Sequence, residues 1–319
     1  MSSAGRVAAG ALGATAAAGL ATLAWGVFVE RNRFTVRHET LPVLEPDARP
    51  ITILHLSDLH MAPWQRAKQH FIRSLAVYEP DLVIDTGDNL GHADGLVGVQ
   101  RALEPFAGAA GVFVHGSNDH FGPVLKNPFG YFFEGSHGRV KREPDLDTDA
   151  LDAYLGGRLG WFDLNNAVRA IELKGTRIEL MGTRDAHRGW DRLGELPGAV
   201  ERMREEVEWS TDEPRQVLTI GVTHAPYRRV LDAFTSQGAD LIFAGHTHGG
   251  QVRIPGRPAL VTNCDIPHAQ AQGLSVWRAG ARSAFLEVSA GLGTSIYAPV
   301  RFACPPEAIV LTLTPVAVD

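Results

Sequence analysis

Five short segments carry side chains that could bind metal ions. In chain order, they are Asp58-Leu59-His60, Gly87-Asp88, Asn118-Asp119, His224 and Gly245-His246-Thr247-His248. Imidazole nitrogens and carboxylate oxygens suit Zn, Mn, Fe or Co better than Ca or Mg, which prefer shells made of oxygen alone. A single such residue in a loop is usually solvated or structural, but that explanation would have to hold independently in all five segments. The pattern predicts a site for two divalent metal ions.

The spacing inside two of the segments supports this prediction. Asp58 and His60 are two residues apart, and so are His246 and His248. In an extended segment, side chains two residues apart point to the same side. Each pair is therefore expected to supply ligands to one site.

Short apolar runs precede these segments, with the bounding Gly, Pro or Asp residues that are typical of buried strands. The runs cover residues 51–56, 81–84, 111–114, 217–222 and 240–244. Apolar residues at helical spacing follow three of the segments: Phe71, Ile72, Leu75 and Tyr78; Leu96, Val99, Leu103 and Phe106; and Val230, Leu231 and Phe234. Alternating strands and helices predict a mostly parallel sheet, whose loops at the carboxyl ends of the strands converge on one edge.

The five segments resemble the signature of the calcineurin-like metallophosphoesterases, which is D-x-H, G-D, G-N-H-D/E, H and G-H-x-H in this order. The resemblance covers roughly residues 50 to 315, and four of the five segments match the signature. It implies an α/β fold, a four-layer β-sandwich flanked by helices. It also implies an enzyme that hydrolyses a phosphomonoester, a phosphodiester or a pyrophosphate.

The resemblance assigns roles to individual residues. Asp58, His60 and His248 would bind one metal ion, Asn118, His224 and His246 would bind the other, and Asp88 would bridge the two. Two divalent ions, whether Mn, Zn, Fe or Co, would bind a hydroxide whose pKa they have lowered and hold the phosphoryl oxygens during in-line attack.

The third segment departs from the family signature, because the chain has Gly116-Ser117-Asn118-Asp119-His120 where the family has Gly-Asn-His-Asp. An alignment without a gap places Ser117 at the ligand position. A shift of one residue keeps Asn118 as the ligand and is favoured, because an amide oxygen binds divalent ions better than a hydroxyl does. The proton donor to the leaving oxygen is then Asp119 or His120, with His187 as a third candidate. The departure also leaves open an alternative function, a catalytically weak protein that binds metal and recognises phosphorylated ligands.

Composition limits the partners. The chain has 319 residues, of which 45% are hydrophobic and 21% are charged, enough for one large core. A formal net charge of −6 without any basic block argues against nucleic acid as a partner. The expected substrate is a phosphorylated small molecule or lipid, and the oligomeric state is not indicated.

The N-terminal residues 7–29 are uncharged and long enough to span a membrane. An uncleaved anchor is favoured over a signal peptide, so residues 1–29 are expected to be the membrane segment, residues 30–49 a tether and residues 50–319 the metallophosphoesterase domain. Arginines after the segment favour, slightly, a catalytic domain on the cytoplasmic face. Aromatic residues 127–133 and the charged stretch 141–152 suit a substrate-recognition insertion, but a loop whose aromatic residues pack on the core, followed by a solvated run of charges, is the favoured explanation. With a membrane nearby, the substrate could be lipid-linked or belong to the cell envelope.

Overall fold

Two six-stranded sheets make up the framework of the protein. The computed structural model describes residues 3–123, 145–207 and 217–317, with side chains from residue 12 onward. The strands are β1 (Thr35–Leu44), β2 (Ile51–Leu56), β3 (Leu82–Asp85), β4 (Gly111–Phe113), β5 (Phe162–Asp163), β6 (Val168–Leu173), β7 (Thr176–Gly182), β8 (Val217–Thr223), β9 (Leu241–Ala244), β10 (Gly273–Ala279), β11 (Arg282–Val288) and β12 (Glu307–Pro315). The α-helices within these described ranges are α1 (Ser3–Ala24), α2 (Arg66–Ser74), α3 (Gly95–Leu103), α4 (Thr148–Asp152), α5 (Leu196–Glu206) and α6 (Arg228–Ser236).

Both sheets are mixed but have a parallel centre. The first has the order β1-β12-β2-β3-β4-β5, in which β2, β3, β4 and β5 run parallel. The second has the order β10-β11-β9-β8-β7-β6, in which β11, β9, β8 and β7 run parallel. The carboxyl ends of the parallel strands in each sheet therefore lie at one edge.

Three hydrophobic clusters separate four layers. Ile53 and Val112 of the first sheet pack with Ile220 and Phe243 of the second, which fills the space between the sheets. Outside the first sheet, the apolar stripes of α2 and α3 form a second cluster. Outside the second sheet, α5 and α6 form the third. Burial of one apolar face by each helix and of both faces by each sheet gives the four-layer α/β fold that the sequence predicts.

The tether predicted for residues 30–49 is wrong over Thr35–Leu44, because these ten residues form strand β1. The strand runs parallel to β12 at the edge of the first sheet. An edge strand tolerates Pro42, since only one side of the strand must donate hydrogen bonds. Only Leu41 and Leu44 of β1 are buried, which is why an apolar run is missing from the sequence here.

The predicted membrane segment is helical. Helix α1 continues as a π-helical turn over Trp25–Val29 and a 3-10 turn over Glu30–Asn32. The stretch Leu12–Asn32 is almost entirely exposed, and it is long and apolar enough to cross a membrane. The aromatic stretch 127–133 and residues 141–144 of the charged stretch lie outside the described residues, and α4 occupies the end of that charged stretch.

Candidate metal centre

The predicted ligand segments follow strands β2, β3, β4, β8 and β9 at their carboxyl ends. Three of these strands belong to the first sheet and two to the second, so the centre lies where the ends of the two sheets meet. The prediction that loops at the carboxyl ends of the strands converge describes this arrangement correctly.

The prediction that the pairs Asp58 and His60, and His246 and His248, lie in extended segments is wrong, because the backbone turns sharply at these residues. Five of the predicted ligands have positive φ, in the left-handed region that non-glycine residues avoid. These are Asp58 (50°), His60 (39°), Asp88 (58°), His246 (68°) and His248 (49°). Each such residue costs about 1–3 kcal/mol, a cost that is characteristic of functional sites. Sharp turns at the strand ends, rather than a continued strand, aim these side chains at one point.

Asp58 keeps one carboxylate oxygen free of hydrogen bonds. Its Oδ2 accepts from the Ser57 hydroxyl at 2.5 Å and from the backbone N–H of His246 at 3.0 Å. Its Oδ1 is buried and has no hydrogen-bond partner within the described part of the chain. Nε2 of His248 lies 3.5 Å from Oδ1, and Nε2 of His60 lies 4.0 Å from it. A buried oxygen without a donor is suited to binding a cation.

His60 and His248 complete a group of three with Asp58, in which the candidate ligand atoms all lie within 4.8 Å of one another. Their Nε2 atoms are 3.3 Å apart and their rings are nearly stacked. Burial lowers the pKa of His60 to about 4 and that of His248 to about 3, so both imidazoles are neutral at pH 7. Neutral imidazoles are the form that binds metal.

Asp88 lies between the two halves of the centre. Its Oδ2 is 3.5 Å from Nε2 of His60 and 3.5 Å from Nε2 of His224. Its Oδ1 accepts a hydrogen bond from the backbone N–H of Asn118. Asp58, Asp88 and His224 form a second group whose ligand atoms lie within 4.8 Å of one another.

The hydrogen bonds of His224 and His246 fix their tautomers. Nδ1 of His224 lies 2.8 Å from the carbonyl of Thr86, and Nε2 of His246 lies 3.2 Å from the carbonyl of Asn263. A carbonyl only accepts, so both of these nitrogens carry hydrogen. In the neutral rings, the lone pairs of His224 Nε2 and His246 Nδ1 therefore face each other at 3.2 Å. This contact requires a cation between them, either a proton on His224 or a metal ion.

The donor set fits divalent ions better than protons. Burial opposes a charge on His224, but Asp88 outweighs it and raises the pKa of His224 well above the usual range. A proton on Nε2 of His224 satisfies the contact with Nδ1 of His246, but it leaves Asp58 Oδ1 without a partner. Ions with several ligands satisfy the imidazole nitrogens and the free carboxylate oxygen together.

Two glycines leave room for this centre. At Gly116, a Cβ would collide with the carboxylate of Asp88 and stand 2.7 Å from Cε1 of His224. At Gly291, a Cβ would stand 2.6 Å from Cβ of Asp58. Any side chain at these positions would push a predicted ligand out of place.

The third segment places Asn118 at the centre. Its amide Nδ2 donates to Asp88 Oδ2 at 2.7 Å, so the side chain lies directly against the carboxylate predicted to bridge the metals. Coordination through the amide oxygen needs only a half-turn about the terminal torsion, which is soft in asparagine.

Asp119 has a structural role instead of the predicted role of proton donor. Its carboxylate accepts from the backbone N–H groups of Asp88, Asn89 and Gly116 at 2.6 to 3.0 Å, and it is fully buried. With both oxygens occupied by backbone donors, Asp119 holds the β3 and β4 loops together. The geometry argues against Asp119 as the acid.

His120 is half-buried beside the same loops. Thr148 donates its hydroxyl hydrogen to the Asp119 carbonyl at 2.7 Å, so it accepts from Nδ1 of His120 at 3.1 Å. Nε2 of His120 is buried without a hydrogen-bond partner among the residues described. Burial and the neighbouring His115 lower the pKa of His120. The ring lines a cavity of about 340 Å³ together with Thr148, Asp152 and Arg184.

His187 also reaches the centre. Its ring centroid lies 4.6 Å from that of His246, and its Nδ1 lies 2.9 Å from the Tyr227 hydroxyl. Sequence reasoning named His187 only as a third candidate, since a single histidine in a loop carries little information.

Sequence reasoning missed Arg301, which is fully buried. Its guanidinium donates to the carbonyls of Ala290, Gly291 and Gly293 at 2.7 to 3.1 Å. The Gly293 N–H in turn donates to the Asp58 carbonyl at 2.6 Å. No spacing pattern connects a lone arginine with a turn of the chain eight or more residues earlier.

The family model for calcineurin-like phosphoesterases matches residues 51–250, and the chain belongs to this family. It is a metal-dependent phosphoester hydrolase.

Individual relatives are distant. The chain is 24% identical to the uncharacterized metallophosphoesterase YkuE of Bacillus subtilis (strain 168) over 318 residues, which cover 97% of this chain and 94% of that protein. The 5′-nucleotidase precursor of Thermus thermophilus is 12% identical with a TM-score of 0.44, over 83% of this chain and 55% of that one. The phosphopantetheinyl hydrolase PptH of Mycobacterium tuberculosis is 15% identical with a TM-score of 0.34, over 67% and 86% of the two chains. The chain thus spans about half the length of the nucleotidase.

Proposed function

We propose that the chain hydrolyses a phosphoester with two divalent ions. The proposed ligands are Asp58, His60, Asp88, Asn118, His224, His246 and His248. The observation that carries the proposal is the contact between His224 and His246, whose facing nitrogens lie 3.2 Å apart, both without hydrogen in the neutral rings, next to two buried carboxylates. Ions held there would lower the pKa of bound water and neutralise charge on the phosphoryl group.

The protein holds the centre open and rigid. Ser57 and the His246 backbone occupy one oxygen of Asp58 and leave the other for a metal. Asp119 fixes the backbone of the Asp88 loop through hydrogen bonds, and the backbone N–H of Asn118 holds the Asp88 carboxylate. Such restraint keeps a reacting phosphoester aligned for in-line attack.

His120 is the better candidate for proton transfer to the leaving oxygen. Its free Nε2 is the atom that would carry the proton, while Thr148 fixes the ring through Nδ1. The neutral form prevails in the free protein, and the negative charge of a bound phosphoester favours protonation. His187 is the second candidate for the same role, because its ring contacts that of His246.

The substrate is proposed to be a phosphorylated small molecule or a lipid, and the N-terminal helix a single-pass anchor. The apolar helix at residues 12–32 supports the anchor. The arginine distribution favours, slightly, the cytoplasmic face for the catalytic domain.

A metal-resolved activity screen tests the proposal. Full-length protein in detergent, loaded with Mn, Zn, Fe or Co in turn, is assayed on an aryl monoester, an aryl diester and a nucleotide-sugar pyrophosphate. Two ions per chain and turnover of at least one substrate are expected. Asp88→Asn should abolish turnover, whereas Asp94→Asn should not, because that carboxylate is 77% exposed. Two bound ions without turnover of any phosphoester would favour the alternative, a metal-binding protein that recognises phosphorylated ligands.

A further inference from the structure

The end of the N-terminal helix docks on a short segment of the catalytic domain. The Gly26 carbonyl accepts from the Arg301 backbone N–H at 3.2 Å. Gly26 is buried so tightly that a Cβ would stand 2.7 Å from the Arg301 carbonyl. Glu30 is also buried, and its carboxylate accepts from the Cys304 backbone N–H at 2.8 Å and from the Trp25 indole at 3.0 Å. The helix therefore leaves the domain at a fixed place.

That place is next to the metal centre. Arg301 bonds the carbonyls of the turn at residues 290–293, and this turn bonds the Asp58 backbone. The Cys304 thiol lies 3.4 Å from the carbonyl of His248. The segment that holds the helix thus contacts the proposed ligand His248 directly and the proposed ligand Asp58 through the turn at residues 290–293. The helix emerges at the edge of the sandwich where the ligand loops meet.

Exposed apolar side chains surround this exit. Phe28 is 72% exposed, Ile254 is 55% exposed and Tyr297 is 48% exposed. Tyr297 lies four residues before Arg301, and Ile254 follows Arg253, whose N–H donates to the Phe302 carbonyl at 2.9 Å. We call Trp25, Phe28, Ile254 and Tyr297 the helix-exit surface. Arg33 stands 5.9 Å from the Trp25 ring and brings positive charge to it.

We propose that the helix-exit surface rests on the bilayer that the helix enters, and that the metal centre acts on a phosphoester in the head group of a lipid. This inference rests on the proposed function. The occupant is a bilayer because the surface continues directly from an apolar helix of membrane-spanning length. Tryptophan, tyrosine and arginine are the residues that lie among lipid head groups. A bilayer at that surface places its head groups on the side of the domain whose docking segment contacts His248 and, through the turn at residues 290–293, Asp58.

Paired substrates test the inference. Full-length protein in phosphatidylcholine vesicles, with and without phosphatidylglycerol, is assayed on two aryl phosphodiesters, one with a methyl group and one with a long alkyl chain that inserts into the bilayer. The double variant Ile254→Ser with Tyr297→Ser should slow the alkyl ester about tenfold and the methyl ester much less, because apolar side chains hold the surface on the bilayer. Val77→Ser should change neither rate, since this 76% exposed residue precedes β3 at the opposite edge.

Equal effects on the two esters, or no effect on either, would overturn the inference. A second measurement needs no activity. Ile254→Trp and Val77→Trp are compared in vesicles of brominated phosphatidylcholine, where only the indole at position 254 should be quenched above wild type. Quenching at neither position overturns the membrane contact. A different result is that the metal-loaded wild-type protein turns over neither ester while the indole at position 254 is quenched. This result would refute the proposed function but would support the contact of the helix-exit surface with the bilayer.

Discussion

The Nε2 atom of His224 lies 3.2 Å from Nδ1 of His246, and the hydrogen bonds on the far side of each ring leave both atoms without hydrogen when the rings are neutral. Two lone pairs at this distance repel unless a cation lies between them. The folded protein therefore holds the imidazoles in a geometry that only a cation stabilises, and the free energy of metal binding should appear in the stability of the fold.

Metal removal should lower the unfolding temperature. A ligand that binds only the folded state stabilises it by RT ln(1 + [L]/Kd), which is about 2.7 kcal/mol at a hundredfold excess over Kd. Thermal unfolding is measured after chelation and then with increasing Mn or Zn. Mg is the matched control, because it disfavours imidazole ligands. An unfolding temperature that stays constant through chelation and readdition would contradict the metal centre.

Asn118→Ala distinguishes the two alignments of the third segment. If Asn118 is a ligand, metal content and rate should fall together, because the loss of one of a few ligands weakens affinity and geometry alike. Ser117→Ala is the matched variant and should leave metal content unchanged. Metal content is measured by mass spectrometry next to the rate on an aryl diester. The reverse result, a loss only in Ser117→Ala, would show that the alignment without a gap is right.

His120→Gln should keep both metals and slow poor leaving groups selectively. General-acid help matters most for a basic leaving oxygen and amounts to about 10² to 10⁴-fold. Rates on an alkyl ester and on an activated aryl ester are compared, with His187→Gln assayed in parallel. The histidine whose loss spares the aryl ester and slows the alkyl ester is the donor. Equal losses on both esters would exclude that residue.

Asp119→Asn, unlike His120→Gln, should lower stability and metal content instead of slowing one type of ester selectively. Its carboxylate accepts backbone hydrogen bonds from the Asp88 loop, and a hydrogen bond to a charged group contributes about 1.5–3 kcal/mol. We expect a lower unfolding free energy and less bound metal, with similar losses on both esters. Chemical denaturation and metal analysis check this. An intact fold with full metal content and a selective loss on the alkyl ester would restore Asp119 as the acid.

The strands that position the centre could be predicted, because their apolar runs are buried on both faces. The structure has β2 over Ile51–Leu56, as predicted, and β9 over Leu241–Ala244, one residue shorter than the predicted run. The left-handed conformations of Asp58 and His248 could not be predicted, because turn geometry at a strand end depends on the contacts around it. Asp119 shows the same limit, since a motif indicates that a carboxylate is present but not which atoms it bonds.

Strand β1 and the role of Arg301 could not be predicted from local sequence patterns. An edge strand buries few side chains, so Thr35–Leu44 carries no apolar run, and its place depends on a partner strand about 270 residues later. The role of Arg301 likewise depends on carbonyls brought near only by the fold. Both depend on contacts between distant parts of the chain, which neither the periodicity of apolar residues nor the spacing of motif residues encodes.

His115 should make stability depend on pH. Burial lowers its pKa, but the carboxylate of Asp119, 3.4 Å from Nδ1, and that of Asp152, 2.6 Å from Nε2, outweigh burial and raise the pKa to about 10. The unfolded value is about 6.5, so the folded state binds the extra proton between these values. The stabilisation is complete below pH 6.5 and is lost as the pH rises toward 10, with a slope of up to about 1.4 kcal/mol per pH unit.

The measurement is the unfolding free energy from pH 6 to pH 10 for wild type, His115→Gln and His70→Gln. Subtraction of the variant curve from the wild-type curve removes other groups that titrate in this range. His115→Gln should flatten the curve, and His70→Gln, at an exposed histidine of α2, should not. Parallel curves for wild type and His115→Gln would refute the assignment.

Arg37 should contribute strongly to stability, although it lies in the segment predicted to be a tether. Its guanidinium bonds the carboxylate of Glu287 at 2.5 Å and that of Glu307 at 3.2 Å, and both carboxylates are buried. Removal of one partner from a buried ion pair costs about 3–5 kcal/mol. Arg37→Ala is compared by chemical denaturation with Arg192→Ala, whose ion pair with Glu195 is exposed and worth little. Similar losses in the two variants would contradict the role of Arg37.

The same contact makes a prediction about where the catalytic domain begins. A truncated protein of residues 45–319 lacks β1, so β12 loses its parallel partner and the carboxylates of Glu287 and Glu307 lose Arg37. A protein of residues 30–319 keeps all of these contacts. We expect the longer protein to unfold cooperatively and to hydrolyse an aryl diester, and the shorter one to aggregate or to unfold at a much lower temperature. Thermal unfolding and activity of the matched pair decide the question. Equal stability and activity of the two would show that β1 is the tether that its sequence suggests.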